Sequence, residues 1–170
     1  MIKYLTLKIL NIFDFFHQRR IIKHLHKKGF KSFDIILDVG AHKGESINLF
    51  LSSFKTKIIY SFEASPNTFK ILSDKIEYFR NKFKSSKIVI ENYAIGAVKK
   101  KVSLKQLKES SSSTIRNLNE NSKYFKKKLF FLQGDKKGSF FKEVEVEQIT
   151  LSDYLIKHNI DNVDFLKIDT

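Results

Sequence analysis

No cysteine occurs in the 170 residues. That excludes disulfides, a thiolate nucleophile and any metal site built on cysteine, and it fits a reducing compartment, which for this chain means the cytoplasm. Arginine is scarce: only Arg19, Arg20, Arg80 and Arg116 stand among 32 basic residues. The formal charge of +14 invites a surface for nucleic acid or for anionic lipid. Yet arginine is the side chain suited to bidentate phosphate and guanine contacts, and lysine carries nearly all of this charge. Solvated lysines are the competing explanation, and no nucleic-acid partner is expected. A metal site is not expected either, because His17, His24 and His26 have no cysteine or carboxylate pair beside them.

Long apolar runs are also missing. The opening "MIKYLTLKILNIFDFF" is interrupted by Lys3, Lys8, Asn11 and Asp14, and it is shorter than the roughly 18 to 20 residues of a membrane span. No small-residue cleavage site follows it, so a signal peptide is not expected. The next stretch, "HQRRIIKHLHKKGF", is basic with Ile21, Ile22 and Leu25. It reads as helix packed on a domain and closed by Gly29, or as an amphipathic segment making peripheral contact with an anionic membrane.

What is present is a core. Hydrophobic residues make up 42% of the chain, with 17 Phe, which excludes a wholly disordered protein. "FDIILDVG", "KIIYSFEAS" and "SKIVIENYAIG" read as strands. Between the first two, Ile47, Phe50, Leu51 and Phe54 define one face of a helix. Between the second and third, Ser65 is placed to cap a helix with Pro66 at its first position. That helix carries a stripe of Phe69, Leu72, Ile76, Phe79 and Phe83. Residues 34 to 96 therefore read β-α-β-α-β, the alternation of a parallel sheet with crossover helices. Further on, "KKVSLKQL" and "FFKEVEVEQIT" read as strands around a polar loop, Thr150 and Asp153 mark a helix start, and "VDFLKIDT" is a last strand. The expected organisation is an N-terminal helical segment over 1–33 and one α/β domain over 34–170, with no linker dividing it.

A G-x-G-x-x-G fingerprint is absent; "GAHKG" is G-x-x-x-G, with Asp38 two residues before its first glycine. Gly40 and Gly44 lie at a strand-to-helix turn, where a bare backbone can approach a ligand and free helix amides favour an anion. Glu63 ends the next strand, 23 residues after Gly40. That offset suits a carboxylate accepting ribose hydroxyls at the carboxyl edge of a parallel sheet. Glycines that only permit tight packing are the alternative.

"ILDVGAHKGES", "YSFEASPNTFKIL", "ENYAIG", "SSSSTI", "ITLSDYL" and "VDFLKIDT" occur in the order and spacing of FkbM-type methyltransferases. The chain resembles that family over about residues 34 to 170. The resemblance implies an α/β, Rossmann-like class I fold, a mostly parallel sheet with flanking helices, and S-adenosylmethionine as cofactor. The acceptor it implies is a hydroxyl of a sugar, glycan or related metabolite. It places Asp38, Gly40, Ala41, His42 and Gly44 around the methionine part of the cofactor. Glu63 takes the ribose, Ala64 and Ser65 lie beside the adenosine, and Asn92 and Ala94 lie near the adenine. Ser111 and Ser112, in a run that includes Ser113, fall near the substrate opening, and Asp169 borders the reacting atoms as candidate general base. Each has a bland counterpart: a buried Asp38 serving loop amides, a solvated His42, a flexible serine loop, an Asp169 that only ends a strand. In the resembled family Ala64 is commonly proline, and the chain continues past "KID". The C-terminal strands of a 3-2-1-4-5-7-6 sheet are therefore expected to be missing, leaving an open edge prone to self-association.

Overall fold

The computed structural model describes residues 19–107, 113–114 and 141–169. Within them the apolar runs become strands of one parallel sheet: β1 (Ser32–Val39), β2 (Lys55–Phe62), β3 (Lys87–Glu91) and, from the end of the chain, β8 (Phe165–Ile168). The spatial order is β3-β2-β1-β8, every pair parallel. The last four residues of β1 and of β2 are all buried. Strands covered on both faces are what helices on both sides of a parallel sheet require. The expected α/β class and parallel alternation hold.

One face is covered by helices α1 (19–27), α2 (Glu45–Ser53), α3 (Pro66–Asp74) and α4 (Ile76–Lys82). Ile22 joins Ile36, Ile47, Phe50, Ile59, Leu72 and others in this core, with Leu25 against its rim. Helix α1 thus packs on the domain, and its end is closed as expected. The amides of Gly29 and Phe30 bond back to the carbonyls of His26 and Leu25, the pairing of a glycine helix stop. On the other face α5 (Leu151–Lys157) supplies Tyr154, which packs with Leu37, Val39, Tyr60 and Phe62. The Thr150 hydroxyl accepts from the Asp153 amide and starts that helix.

Two expectations need correction. The single helix foreseen after Ser65 is two, parted at Lys75, whose amide bonds to the Leu72 carbonyl at 3.1 Å, a tighter turn than α. Because only one residue intervenes, Leu72, Ile76 and Phe79 still share one buried face. The run "SKIVIENYAIG" is likewise not one strand. β3 ends at Glu91, and Ala94–Ile95 (β4) joins a second sheet with β5 (Lys100–Leu107), β6 (Ser113–Thr114) and β7 (Phe141–Ile149), in the order β4-β7-β5-β6. The Asn92 side chain donates to the carbonyls of Glu63 at 2.7 Å and Ala64 at 3.3 Å. That anchors the chain where it leaves the main sheet. In the second sheet Lys100, Lys101 and Lys105 lie opposite Gln148, Glu147 and Glu143, so part of the lysine excess faces carboxylates across the ladder.

Candidate functional site

The glycine turn after β1 is held by backbone. The amides of Gly40 and Ala41 both donate to the Phe62 carbonyl at 2.9 Å, and Gly44 donates to the Ala41 carbonyl. Gly40, His42 and Gly44 have positive φ, at 81°, 51° and 89°. Both glycines are demanded by protein atoms. A Cβ on Gly40 would sit 1.9 Å from the Asp169 carbonyl oxygen, and one on Gly44 would sit 2.5 Å from the Phe79 ring. The packing explanation of these glycines is therefore met directly: the turn lies flat against the end of β8 and against α4.

Glu63 is 7% exposed. One carboxylate oxygen accepts from the His42 amide and the other from the Ser65 amide, each at 2.9 Å. The same side chain thus ties the β1–α2 turn to the β2–α3 turn. Burial pushes its acid pKa up, and the two amide hydrogen bonds pull against that. A carboxylate oxygen offers two acceptor positions. With one amide on each, Glu63 keeps one further position per oxygen.

Asp38 is wholly buried at the end of β1. One oxygen accepts from the Lys167 ammonium at 2.9 Å and the other from the Ser61 hydroxyl at 3.4 Å. Burial raises its acid pKa, opposed first by Lys167 and then by the hydroxyls of Ser46 and Ser61. Lys167 also donates to the Gly40 carbonyl at 3.0 Å, and it lies 3.8 Å from the Asp169 carboxylate. Asp169 stands at the rim with its side chain 79% exposed, while its amide bonds to the Val39 carbonyl.

The ion pair carries a pH prediction. Lys167→Met removes the strongest opposition to burial at Asp38, so the folded-state pKa rises further. A carboxyl whose folded pKa is raised contributes stability that is fully present below the unfolded value of about 3.9. That contribution is lost as pH climbs through the folded value. The variant, destabilised by about 3 kcal/mol at neutral pH for a broken buried pair, should therefore close much of its Tm gap to wild type between pH 8 and pH 5. A gap independent of pH would refute this account.

The remaining expected residues divide. Asp38, Gly40, His42, Glu63 and Asp169 meet at the carboxyl edge around β1, with Ala41 buried beneath the turn. The His42 ring lies 3.2 Å from the Glu45 carboxylate, and its Nε2 is buried without a partner. Burial opposes the Glu45 charge, yet His42 and nearby backbone amides outweigh it and hold that acid at about 2. Ser65 is fully buried with its hydroxyl capping α3 through the Thr68 amide, so its service to the site is its backbone amide. Ala94 is 3% exposed in the second sheet's core with Val102, Leu104 and Val146, and Ala64 packs against that cluster. Asn92 spends its amide on the Glu63 and Ala64 carbonyls. Ser111 and Ser112 lie outside the described residues.

Sequence reasoning missed Lys167 and the Tyr154 hydroxyl, which donates to Glu91 at 2.9 Å beside the end of β3. Burial, then Glu91, raises the Tyr154 pKa. Lys167 had a signal: it is the one charge inside an apolar strand, at the alternation that places it on the face of Phe165 and Asp169. An open cleft of about 820 Å³, lined by Lys31, Ser32, Lys55, Thr56 and Lys57, lies at the opposite end of the sheet and shares none of these residues.

The profile of the "Methyltransferase FkbM domain" matches residues 38–170. Among solved structures, the YcgJ protein of Bacillus subtilis is similar at 14% identity and a TM-score of 0.33, over 44% of this chain and 29% of that one. A comparison with curated proteins gives no match. With its Glu63-braced glycine turn at the carboxyl edge of a parallel sheet, and a profile match running from Asp38 to the last residue, the chain belongs to the FkbM methyltransferase family.

Proposed function

We propose that the chain binds S-adenosylmethionine across the carboxyl edge of β2, β1 and β8 and directs its methyl group to a hydroxyl of a sugar, glycan or related metabolite. The observation that carries this reading is Glu63: a buried carboxylate fixed by two amides, with one acceptor position free on each oxygen. That is the donor–acceptor match for a pair of ribose hydroxyls. Asp169, exposed at the rim, and Glu63 beside the turn add negative charge there, which suits a cationic sulfonium and ammonium.

When bound, the cofactor supplies a methyl already activated by a positive sulfur. The residues therefore need to orient more than to activate, and alignment of acceptor and methyl at about 3 Å supplies most of the rate. Glu63 fixes the nucleoside end and the glycine turn fixes the backbone beside it. Asp169, exposed at the rim, would take the acceptor's hydroxyl proton. No helix among the described residues is long and apolar enough to cross a membrane.

The test is transfer of a radiolabelled methyl group to a panel of sugars and hydroxylated metabolites. Asp169→Asn should lower kcat on the order of 100-fold or more with little change in cofactor affinity. Equal loss of affinity and turnover would remove Asp169 from the role of base. No transfer to any hydroxyl, with transfer to an amine, would move the reading to N-methylation.

A further inference from the structure

We propose that Lys167 selects the cofactor's carboxylate, so that the site prefers nucleosides bearing an amino acid tail over those from which the carboxylate has been removed. This rests on the S-adenosylmethionine reading and deepens it. The ammonium has three N–H donors. Asp38 takes one at 2.9 Å and the Gly40 carbonyl a second at 3.0 Å. The Asp169 carboxylate, at 3.8 Å, is beyond hydrogen-bond reach. One donor is therefore left at the glycine turn, on a side chain that is 22% exposed and so reaches solvent.

Position makes that donor useful. Lys167 lies beside Asp38 in the β1–β8 register, and β2, which Glu63 follows directly, flanks β1 on its other side. A ligand whose ribose sits on Glu63 and whose chain crosses the glycine turn arrives with its tail at β8. There the exposed Asp169 would repel a carboxylate, and Lys167 offsets it. The Asp38 and Gly40 bonds also fix the lysine before any ligand arrives, so little side-chain entropy is lost on binding. The geometry assigns Lys167 to binding and specificity, acting on the tail and not on the methyl.

The experiment compares two probes by isothermal titration: S-adenosylhomocysteine and its decarboxylated analogue, which keeps the nucleoside, sulfur and amine. Wild type should prefer S-adenosylhomocysteine by roughly tenfold or more, the size of one charge-assisted hydrogen bond. Lys167→Met should reduce that preference to about twofold. Lys167→Arg should keep part of the preference. Should Lys167→Met not fold because Asp38 is left unpaired, the double variant Asp38→Asn with Lys167→Met replaces it, and the same loss of preference is required. If the preference survives either variant, the inference about Lys167 is wrong while the nucleoside site stands. If wild type binds neither probe, the cofactor reading itself fails.

Discussion

Glu63→Gln is expected to abolish measurable binding of S-adenosylhomocysteine in isothermal titration, with an affinity loss on the order of 100-fold or more. The substitution is nearly isosteric, so the size of the effect comes from hydrogen-bond polarity. Both groups that face the carboxylate inside the protein are donors, the amides of His42 and Ser65. A glutamine has one acceptor oxygen and one donor NH2. Whichever way it is turned, a donor meets a donor, and one turn is pushed away. A ribose hydroxyl pair then loses a charged acceptor as well, each such bond contributing about 1.5–3 kcal/mol. The damage should be local: Leu72, Ile59 and Ile47 fill the core without Glu63, so Tm should fall by only a few degrees. Retained affinity within about threefold of wild type would show that Glu63 braces the turns but does not touch the ligand.

Gly40→Ala should instead destabilise the fold. The residue sits at φ 81°, which costs an L side chain about 1–2 kcal/mol. The larger part is steric, because the new Cβ would meet a backbone oxygen, that of Asp169, at 1.9 Å. The Asp169 amide is itself held by the Val39 carbonyl, so the chain just past β8 has little room to give way. The end of β8 must move, and with it go the Asp169 amide bond to Val39 and the Lys167 pair with Asp38. A loss of about 4 kcal/mol or more is expected, visible as a Tm lowered by roughly 10 °C. Gly29→Ala is the internal control. Its φ is 89°, but among the described residues nothing lies within 4 Å of the added methyl, so only the conformational cost of about 1–2 kcal/mol should appear. Equal shifts in the two variants would show that backbone conformation, and not the close approach of β8, is what Gly40 serves.

The lysine surplus takes on a different weight once the strands are paired. Lys101 and Lys105 pair with Glu145 and Glu143, and Lys57 with Asp34. Exposed pairs of this kind add little stability. On β8, Leu166 and Ile168 are 44% and 62% exposed. A charge-based reading of the whole chain overlooks both features, because net charge carries no information about neighbours.

How much of this was legible in advance depended on the range of the interactions. Local patterns were enough for the strands around Ile36 and Ile59, for the α2 stripe, and for the Ser65 and Thr150 caps, since backbone geometry and periodicity act within a few residues. Alternation of strands and helices was enough for a parallel sheet, whereas the order β3-β2-β1-β8 is the one the family resemblance implies. The same local reading ran Ile88 through Ile95 together as one strand. Nothing within that segment announces that Asn92 will be bound to carbonyls 28 and 29 residues earlier.

The sequence by itself determined the alternating strands and helices, the glycine turn and the acid at the end of β2. Those depend on residue type and spacing alone. Only the tertiary structure decided what the glycines and the charges are for. It laid the Gly40 backbone under the Asp169 carbonyl and Gly44 against Phe79, brought Lys167 across 129 positions to the buried Asp38, and gave Glu63 two amides from different turns. Such contacts join residues far apart in the chain, and their meaning lies in distance and direction, which composition and spacing do not encode.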